Sequence, residues 1–456
     1  MEISSLIQKI DILTARKITL EQAKKYLIIP LYTKNNKIYV AKTSVSTEAE
    51  EIIRFIFNKQ IIYLDLDKDK INYLIDVFLD YDYREIENKI FDEAVFYNAS
   101  DIHYEPCKEN VNIRIRVNGE LNLVRKLLFS EYKRIISRYK IKSNMDITEK
   151  QKSQDGKAII SSGNLEYNCR LSTMPVLYGE KLVIRIIYKD KLCPNFKDLN
   201  LLNLQKQKLS KIVTFKNGMV IIIGPTGSGK STTLYTILNS IKTKKINITT
   251  LEDPVEAEIE GINQVNLNET LGMNFASGLK HILRQDPDTI MVGEIRDEET
   301  AKISVRAALT GHKVYTTLHT KSPREVFFRL QEMGVQEFLL RDALIGIVSQ
   351  RLIKTLCSEC RISDIKINIK NKCIQTYKSK GCKLCNWSGY KGRALVASVN
   401  YIDSNIKIKL KDINSYENIL SNEEMLEVLN VLLEKGDISY DDYLEFIYGE
   451  ELYETQ

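Results

Sequence analysis

Runs of apolar residues alternate with segments of helical periodicity along the second half of the chain, from Leu199 onward. The apolar run that ends at Ile223 predicts a buried strand, and a segment with helical periodicity follows it from Leu234. Strand-like segments recur at residues 247–251 and 288–292, so that strands and helices follow one another repeatedly. This alternation predicts a mostly parallel sheet.

Pattern and composition divide the chain into three predicted domains joined by one linker. In the first, helical stretches alternate with short strand-like runs, which predicts a small α/β unit. In the second, the alternating run 111–117 is followed by Asn118 and Gly119, a pair typical of a β-hairpin turn. Pro194 marks the linker. The predicted boundaries are residues 1–83 for the N-terminal unit, 84–189 for the second domain, 190–198 for the linker and 199–456 for the third domain.

Length, composition and charge are those of a globular protein with several domains. The chain has 456 residues, of which 43% are hydrophobic, and a formal net charge of +6. So small a charge, spread over this length, argues against a dedicated nucleic-acid-binding protein. Residues 421–456 are rich in Asp and Glu. They predict a solvated amphipathic helical cap, with an acidic interaction tail as the alternative.

The N-terminal ten residues carry charges and polar groups where a signal peptide would need an unbroken apolar core. No apolar stretch of the sequence approaches the ~20 residues needed to span a bilayer. We therefore expect a cytosolic protein, in which the eight cysteines are reduced thiols. Cys-x-x-Cys pairs in such a protein point to a metal before they point to disulfides.

Two such pairs occur, Cys357 with Cys360 and Cys382 with Cys385. Each pair can present both sulfurs to one ion, and together they complete a tetrahedral Cys₄ set of the kind that holds structural zinc. Reduced packing cysteines and a redox pair are the alternatives, although no thioredoxin-like context surrounds either pair. Cys373 lies between the pairs and could compete as a ligand, but it has no partner at a suitable spacing.

A glycine-rich loop follows directly after the predicted strand that ends at Ile223. Its residues are Gly224, Pro225, Thr226, Gly227, Ser228, Gly229, Lys230, Ser231 and Thr232. Glycines let successive backbone N–H groups turn toward a phosphate, and the following helix directs its positive end at the same oxygens. We expect Lys230 to reach the β- and γ-phosphates of ATP and the Ser231 hydroxyl to bind Mg²⁺. A chance glycine-rich turn is the alternative, but strand, loop and helix stand in the order that a phosphate site requires.

Acidic residues follow two of the predicted strands of this domain. Glu294 comes after the apolar segment 288–292, and we expect it to orient and deprotonate the water that attacks the γ-phosphate. The position before it is Gly293, where many phosphate-loop enzymes have an Asp that holds Mg²⁺. Glu252 and Asp253 are therefore the expected anchors for the metal's waters. A carboxylate on a surface turn is the alternative for Glu252.

Two of the four histidines, His312 and His319, lie in one short segment. His319 stands in Thr-Leu-His-Thr at the predicted end of a buried strand, which places a polar ring at the carboxyl edge of a sheet, where ligands gather. A histidine with a structural role only is the alternative reading.

Several long motifs in a fixed order resemble those of the secretion ATPase superfamily. They are the phosphate loop and helix start at 224–235, Leu-Glu-Asp-Pro-Val-Glu at 251–256, Leu-Arg-Gln-Asp-Pro-Asp at 283–288, Val-Gly-Glu-Ile-Arg-Asp at 292–297, Thr-Gly-His at 310–312 and Thr-Leu-His-Thr at 317–320. The sequence most resembles the type IV pilus assembly (extension) ATPases and their type II secretion relatives, from about residue 83 to residue 393.

The resemblance implies a RecA-like phosphate-loop ATPase core with a Cys₄ zinc-binding excursion, preceded by a PAS-like α/β second domain and a small N-terminal α/β unit. It also implies that Arg170 and Arg185 of the second domain reach the nucleotide of a neighbouring subunit in a homo-hexamer. Ordinary salt bridges on strands are the alternative for both arginines. His319 would sense phosphate and couple the site to its neighbours.

The same resemblance implies a cytoplasmic motor that hydrolyses ATP with Mg²⁺ to power pilin polymerisation. Such a motor acts on an inner-membrane platform protein, and residues 1–83 would grip a membrane-associated partner. Extension is favoured over retraction because the Cys₄ set and the extra N-terminal unit resemble extension enzymes. The chain departs from the family at Ser398, where an acidic residue is usual, and it lacks the Arg-Leu-Gly opening of cyclic-dinucleotide-binding N-terminal domains.

Three other functions stay open at this point. A type II secretion or DNA-uptake pseudopilus ATPase would carry nearly identical motifs. A nucleic-acid translocase or zinc-ribbon nucleic-acid-binding protein would need a basic stripe with interleaved aromatic residues, which the sequence does not show. A scaffold that binds nucleotide without hydrolysing it is disfavoured by the presence of Lys230 and Glu294.

Overall fold

The computed structural model describes residues 3–44, 46–79, 85–188, 199–268, 272–369, 372–385, 387–410 and 420–449. The chain forms two compact units, the first built mainly from residues 1–187 and the second mainly from residues 188–379 and 390–456. The predicted linker at residues 190–198 lies outside the described residues.

The first unit begins with helices packed around a three-stranded sheet. Strand β1 (Ile28–Lys34) pairs antiparallel with β2 (Lys37–Lys42), and β2 pairs parallel with β3 (Gln60–Asp65). The helices are α1 (Ile3–Lys9), α2 (Ile12–Ala15), α3 (Leu20–Tyr26), α4 (Thr47–Phe57) and α5 (Lys68–Phe78). Apolar side chains of these helices and strands share one buried cluster. The α/β character predicted for this segment is confirmed.

Side-chain caps explain where three of these helices begin. Thr19 accepts from the Gln22 backbone N–H while the Gln22 side chain accepts from the Thr19 N–H, which makes a capping box before α3. Ser46 accepts from the Ala49 N–H at 3.1 Å before α4. Asp67 accepts from the Lys70 N–H at 2.9 Å before α5.

The rest of the first unit is built on a six-stranded antiparallel sheet in the order β6-β5-β4-β9-β8-β7. Its elements are α6 (Ile86–Phe96), β4 (Asp101–Pro106), β5 (Val111–Val117), β6 (Glu120–Leu127), α7 (Phe129–Lys142), β7 (Gln154–Ser162), β8 (Leu165–Val176) and β9 (Gly179–Ile187). Val117 pairs with Glu120 across Asn118 and Gly119, whose φ angles are 52° and 93°. Positive φ at both positions is what a tight hairpin turn needs, so the predicted hairpin is confirmed.

The second unit is organised by a seven-stranded sheet in the order β12-β11-β13-β14-β10-β15-β18, which is parallel except for the pairing of β15 with β18. The strands of this unit are β10 (Gly218–Ile223), β11 (Ile248–Glu252), β12 (Asn263–Asn266), β13 (Thr289–Val292), β14 (Lys313–Leu318), β15 (Leu344–Leu356), β16 (Ile362–Ile369), β17 (Lys372–Lys378) and β18 (Tyr390–Tyr401). The mostly parallel sheet predicted from the sequence is confirmed.

Helices cover both faces of this sheet, which explains why its central strands are apolar without interruption. Met219, Ile221 and Ile223 of β10 enter one buried cluster, whereas Val220 and Ile222 enter another on the opposite face. The helices are α8 (Asn203–Thr214), α9 (Lys230–Ile241), α10 (Phe275–Ile282), α11 (Glu298–Leu309), α12 (Pro323–Glu332), α13 (Glu337–Ala343), α14 (Ser404–Lys409), α15 (Glu423–Glu434) and α16 (Tyr440–Gly449).

Two features near the C-terminus complete the second unit. Helices α15 and α16 bury Met425, Leu429 and Tyr443 in a cluster with Val396 of β18, and so form the predicted helical cap as far as residue 449. Strands β16 and β17 pair as a separate antiparallel ribbon between the two Cys-x-x-Cys pairs. Across the described ranges, no helix has both the length and the apolar character that a bilayer-spanning helix needs.

Candidate nucleotide site and four-cysteine centre

Four neighbouring parallel strands direct the predicted site residues to one edge of the sheet. The phosphate loop follows β10, Glu252 ends β11, Glu294 comes two residues after β13, and His319 follows β14. These strands are adjacent in the order β11-β13-β14-β10. Because carboxyl ends of parallel strands meet at the same edge, residues up to 95 positions apart along the chain share one cleft.

The phosphate loop packs tightly against the middle of β15. A Cβ added at Gly224, whose φ is 150°, would lie 2.4 Å from the Gln350 carbonyl oxygen and 2.7 Å from Ser228 Oγ. Gly229, at φ 88°, is the N-cap of α9 and makes no side-chain capping bond. The N-cap residue therefore leaves the first N–H groups of α9 uncapped, which is the arrangement that binds phosphate.

Two polar groups of the loop fit a phosphate ligand. Among the described residues, the Ser228 hydroxyl is buried and has no hydrogen-bond partner. The Lys230 ammonium donates to the loop's own carbonyl oxygens, at 2.8 Å to Gly224 and 3.0 Å to Pro225. Burial lowers the pKa of Lys230, and the nearby Glu294 carboxylate opposes this shift. A phosphate would give both groups a stronger acceptor than the loop provides.

Glu294 is held between two basic side chains. Its Oε1 pairs with Arg296 Nη2, and its Oε2 lies 3.3 Å from His319 Nε2. Arg296 also places Nη1 at 3.8 Å from Asp253 Oδ2. The Glu294 side chain is 20% exposed, whereas those of Arg296 and His319 are 58% and 50% exposed. A largely enclosed carboxylate thus lies at the cleft between more exposed groups that can shift when a ligand enters.

Glu252 is buried and fully engaged in hydrogen bonds, unlike its neighbour Asp253. One carboxylate oxygen accepts from the Thr250 hydroxyl at 2.5 Å and from Gln264 Nε2 at 3.1 Å, and the other accepts from the Tyr235 hydroxyl. Asp253 has a side chain that is 42% exposed. The surface-turn alternative for Glu252 is therefore wrong, since only 5% of the residue is exposed.

The two histidines of the 312–319 segment lie at opposite ends of β14. His319 follows the carboxyl end of the strand and joins Glu294 at the cleft. His312 precedes the strand, where its ring Nδ1 lies 3.1 Å from the Ala307 carbonyl oxygen at the end of α11. His312 thus takes part in local structure away from the phosphate loop.

The predicted arginines face one another on the six-stranded sheet of the first unit. Arg170 of β8 and Arg185 of β9 are cross-strand partners. Arg185 Nε lies 2.9 Å from Asp101 Oδ1, and its side chain is 67% exposed. Arg185 therefore does form an ordinary salt bridge, with Asp101. A catalytic role of Arg170 or Arg185 stays a prediction.

The four cysteines predicted to bind zinc lie together. The sulfur atoms of Cys357, Cys360, Cys382 and Cys385 are all within 4.8 Å of one another. Cys382 and Cys385 have their Sγ atoms 3.7 Å apart, close to the ~3.8 Å that separates two ligands 2.3 Å from a tetrahedral zinc ion. Backbone N–H groups of Cys382 and Gly389 donate to Cys385 Sγ, both at 3.2 Å, as they do to metal-bound thiolates.

This cluster fits a structural zinc site, and Cys373 is not among its four cysteines. Within the described parts of the chain, Cys373 is exposed on β17 and does not belong to the group. Cys357 is fully buried, and Cys360 and Cys385 nearly so. Four thiolates close the coordination sphere, so a bound zinc ion would stabilise the fold without doing chemistry.

Three residues with contacts at the site were missed from the sequence: Tyr235, Arg296 and Gln350. Gln350 of β15 is buried and donates from Nε2 to the Ser228 carbonyl oxygen at 2.8 Å. Arg296 and Tyr235 do have a sequence signal, because each stands inside a motif that was quoted for other residues. Gln350 has none, since 122 positions separate it from Ser228.

Comparison with known proteins places this architecture in a family. The family model for "Type II/IV secretion system protein" matches residues 82–436. The type II secretion system protein E of Dickeya dadantii is 40% identical over 326 residues, which are 70% of this chain and 66% of that protein. The type IV pilus assembly ATPase PilB of Thermus thermophilus is 41% identical over 330 residues, 70% of this chain and 37% of that protein.

A second assembly ATPase, PilB of Acinetobacter baylyi, is 34% identical over 452 residues, covering 88% of this chain and 78% of the relative. Among solved structures, the ATPase DotB of Legionella pneumophila has the same fold, with a TM-score of 0.62, 23% identity and coverage of 80% and 95% of the two chains. The pilus retraction motor PilT with bound ADP aligns at a TM-score of 0.54 and 25% identity, over 78% of this chain and 96% of PilT. The chain therefore belongs to the type II/IV secretion system protein family.

Proposed function

We propose that this protein is an ATP-hydrolysing motor that powers the assembly of a type IV pilus. The observation that carries the proposal is the convergence of the phosphate loop, Asp253, Glu294 and His319 at one edge of the parallel sheet. A phosphate cradle beside an enclosed carboxylate is what phosphoryl transfer to water requires. The similar motor PilT carries ADP in its crystal structure, which supports a nucleotide as the ligand here.

The phosphate loop would bind the triphosphate through backbone N–H groups and Lys230. In exchange for the carbonyls of Gly224 and Pro225, the Lys230 ammonium would take the β- and γ-phosphate oxygens as acceptors. Mg²⁺, when bound, would neutralise charge that builds up on these oxygens, and the Ser231 hydroxyl with carboxylate-anchored waters would hold it. The residues from Gly224 to Thr232 thus do the binding and positioning.

Glu294 would act as the general base toward the attacking water. Its carboxylate must leave the ion pair with Arg296, or keep one oxygen free of it, to accept a proton from water. His319 lies 3.3 Å from the other carboxylate oxygen, so its ring can pair with Glu294 or turn toward a bound phosphate. A change of partner at His319 would couple phosphate binding to the neighbouring loop. The two basic residues would therefore control when Glu294 is available.

Arg170 and Arg185 would complete the site from a neighbouring subunit. A cation brought to the transferring phosphoryl group in this way can raise the rate by several orders of magnitude. We propose a homo-hexameric ring, because a head-to-tail contact can supply arginines from each subunit to the next and forms a ring when its rotation closes. The number six follows from the resemblance to the secretion ATPases. Nucleotide turnover would then move domains within the ring and push on a platform protein at the inner face of the cell membrane.

The match to one pilus assembly ATPase favours the pilus over secretion. The Acinetobacter assembly ATPase aligns over 88% of this chain, whereas the Dickeya secretion ATPase aligns over 70%. A match over 88% of the chain must extend into the N-terminal α/β segment, residues 1–83, which we propose grips the membrane-associated partner. A type II secretion or DNA-uptake pseudopilus motor remains the alternative, supported by the 40% identity to the secretion relative.

The test starts with the purified protein. Wild-type protein should release phosphate from ATP in the presence of Mg²⁺, and the Lys230→Ala variant should not. Absence of turnover by assembled wild-type protein would refute the motor. Deleting the gene then separates the cargoes: loss of surface fibres supports pilus assembly, and intact fibres with failed protein export support the secretion alternative.

A further inference from the structure

A single phenol hydroxyl joins the phosphate-loop helix to the acidic turn at residues 252–256. Tyr235 of α9 is fully buried, and its hydroxyl donates to a Glu252 carboxylate oxygen. The same hydroxyl accepts from the backbone N–H of Glu256 at 3.2 Å. Burial, followed by the Glu252 carboxylate, raises the pKa of Tyr235, which keeps the phenol protonated as a donor. Tyr235 thus contacts both ends of the turn.

Glu252 is poorly placed to serve a metal ion directly. Its two carboxylate oxygens accept hydrogen bonds from the side chains of Thr250, Tyr235 and Gln264. Its backbone carbonyl also accepts from the Leu267 N–H at 2.9 Å. A carboxylate that is buried and satisfied in this way stabilises its surroundings more than it binds ligands.

Asp253 is the carboxylate of this turn that faces the cleft. It lies 3.8 Å from Arg296 Nη1, and the other end of that guanidinium pairs with Glu294. Ser231 and Tyr235 are four positions apart on α9, so they lie on the same face of the helix. Helix α9 therefore carries both Ser231, the expected Mg²⁺ ligand, and Tyr235, whose hydroxyl holds the turn that contains Asp253.

We propose that Tyr235 is a positioning residue that sets the distance between Asp253 and Ser231, and so the affinity of the site for the divalent cation of the bound nucleotide. This inference rests on the proposed function. In this proposal Asp253 binds the water molecules of the cation. Glu252 fixes the position of the turn through its hydrogen bond with Tyr235. The phenylalanine variant Tyr235→Phe removes one hydroxyl and leaves the Glu252 oxygen and the Glu256 N–H without this partner.

The consequence is specific to the metal because the phosphate loop is left unchanged. A buried acceptor and donor that lose their shared partner move toward new ones, and the turn that carries Asp253 moves with them. A displacement of about 1 Å is enough to disturb a water-mediated carboxylate contact to a cation. The Lys230 contacts with the loop carbonyls do not involve the Tyr235 hydroxyl, so binding of the nucleotide alone should be unaffected.

The experiment measures binding of Mn²⁺ by electron paramagnetic resonance, with assembled protein saturated with ADP. For Tyr235→Phe we expect the Mn²⁺ dissociation constant to rise about tenfold, the lower end of the loss on removing an outer-shell partner, and that of a fluorescent ADP analogue without metal to stay within about twofold. Tyr315→Phe is the matched control. Tyr315 is buried on β14, and in the described structure its hydroxyl has no hydrogen-bond partner, so its loss should leave both constants unchanged.

A double-mutant cycle separates positioning from general damage. Asp253→Asn should weaken Mn²⁺ binding as Tyr235→Phe does, and adding Tyr235→Phe to Asp253→Asn should change the constant less than about twofold. Fully additive effects would overturn the proposal. Unchanged Mn²⁺ binding in Asp253→Asn would overturn it even if Tyr235→Phe folded poorly. Wild-type protein that hydrolyses no ATP would instead defeat the proposed function, so the two failures are distinguishable.

Discussion

Arg296 pairs with Glu294 through one end of its guanidinium and lies 3.8 Å from Asp253 Oδ2 with the other end. The residue thus links the carboxylate that follows β13 to the carboxylate that follows β11, next to the phosphate loop. In this arrangement each Glu294 carboxylate oxygen already lies beside a basic side chain, that of Arg296 or that of His319. Entry of a nucleotide offers Arg296 phosphate oxygens as competing acceptors, which would release Glu294 for catalysis.

Replacing Glu294 by Gln tests its role as the base. The Glu294→Gln variant keeps the size of the side chain but loses the negative charge and the proton-accepting oxygen. We expect turnover to fall by about a hundredfold or more, the order of loss for a general base, with ATP affinity retained. Steady-state phosphate release and fluorescent-nucleotide binding measure the two quantities. Unchanged turnover would refute the assignment.

Removing the metal from the four-cysteine cluster tests its structural role. One zinc ion per chain should be found by elemental analysis, and chelation should lower the melting temperature by about 5 °C or more, since binding of a closed zinc site adds to folding free energy. ATP affinity should change less. Cys360→Ser should behave as chelation does, and Cys373→Ser, at an exposed position outside the cluster, should not. A metal-free wild-type protein of unchanged stability would contradict this.

Lys313 gives the fold a pH dependence of known sign. The side chain is buried at the start of β14 and donates to the Ile212 carbonyl oxygen at 2.5 Å. Burial lowers the pKa of Lys313 to about 7. An unfolded lysine titrates near ~10.4, so between these values the unfolded state binds more protons. The free energy of unfolding should therefore rise with pH across this window, by at most about 1.4 kcal/mol per pH unit.

The Lys313→Met variant isolates that contribution. Denaturant unfolding at several pH values should show the free energy of unfolding of wild type increasing relative to Lys313→Met between pH ~7 and ~10. Lys216→Met, at an exposed position of the same unit, should run parallel to wild type. Parallel curves for Lys313→Met as well would show that burial does not change the protonation of Lys313.

The sequence predicted those parts of the site that are contiguous along the chain. The phosphate loop can be recognised because one strand, one turn and one helix start hold all of its groups, from Gly224 to Thr232. Glu294 and His319 could be assigned to the same edge because each follows an apolar strand of a parallel sheet. The Cys₄ cluster was predicted from spacing alone, since each pair already brings two sulfurs to one point.

Contacts between distant side chains could not be predicted in this way. The sequence predicted Glu252 and Asp253 as equal anchors for the metal's waters, because it does not show that Tyr235 and Gln264 donate hydrogen bonds to the Glu252 carboxylate. Gln350 supports the phosphate loop from β15, yet its position follows only from the order of strands in the sheet. Such partners depend on strand order and side-chain packing, which local periodicity does not encode.

The central claim is that two subunits build each active site, and mixed assemblies test it most directly. Arg170→Ala and Lys230→Ala proteins should each be inactive alone. In a random one-to-one mixture, about a quarter of the sites would combine an intact phosphate loop with an intact arginine from the neighbour, so turnover should recover toward that fraction of wild type. No recovery in assemblies shown to contain both variants would contradict the shared site.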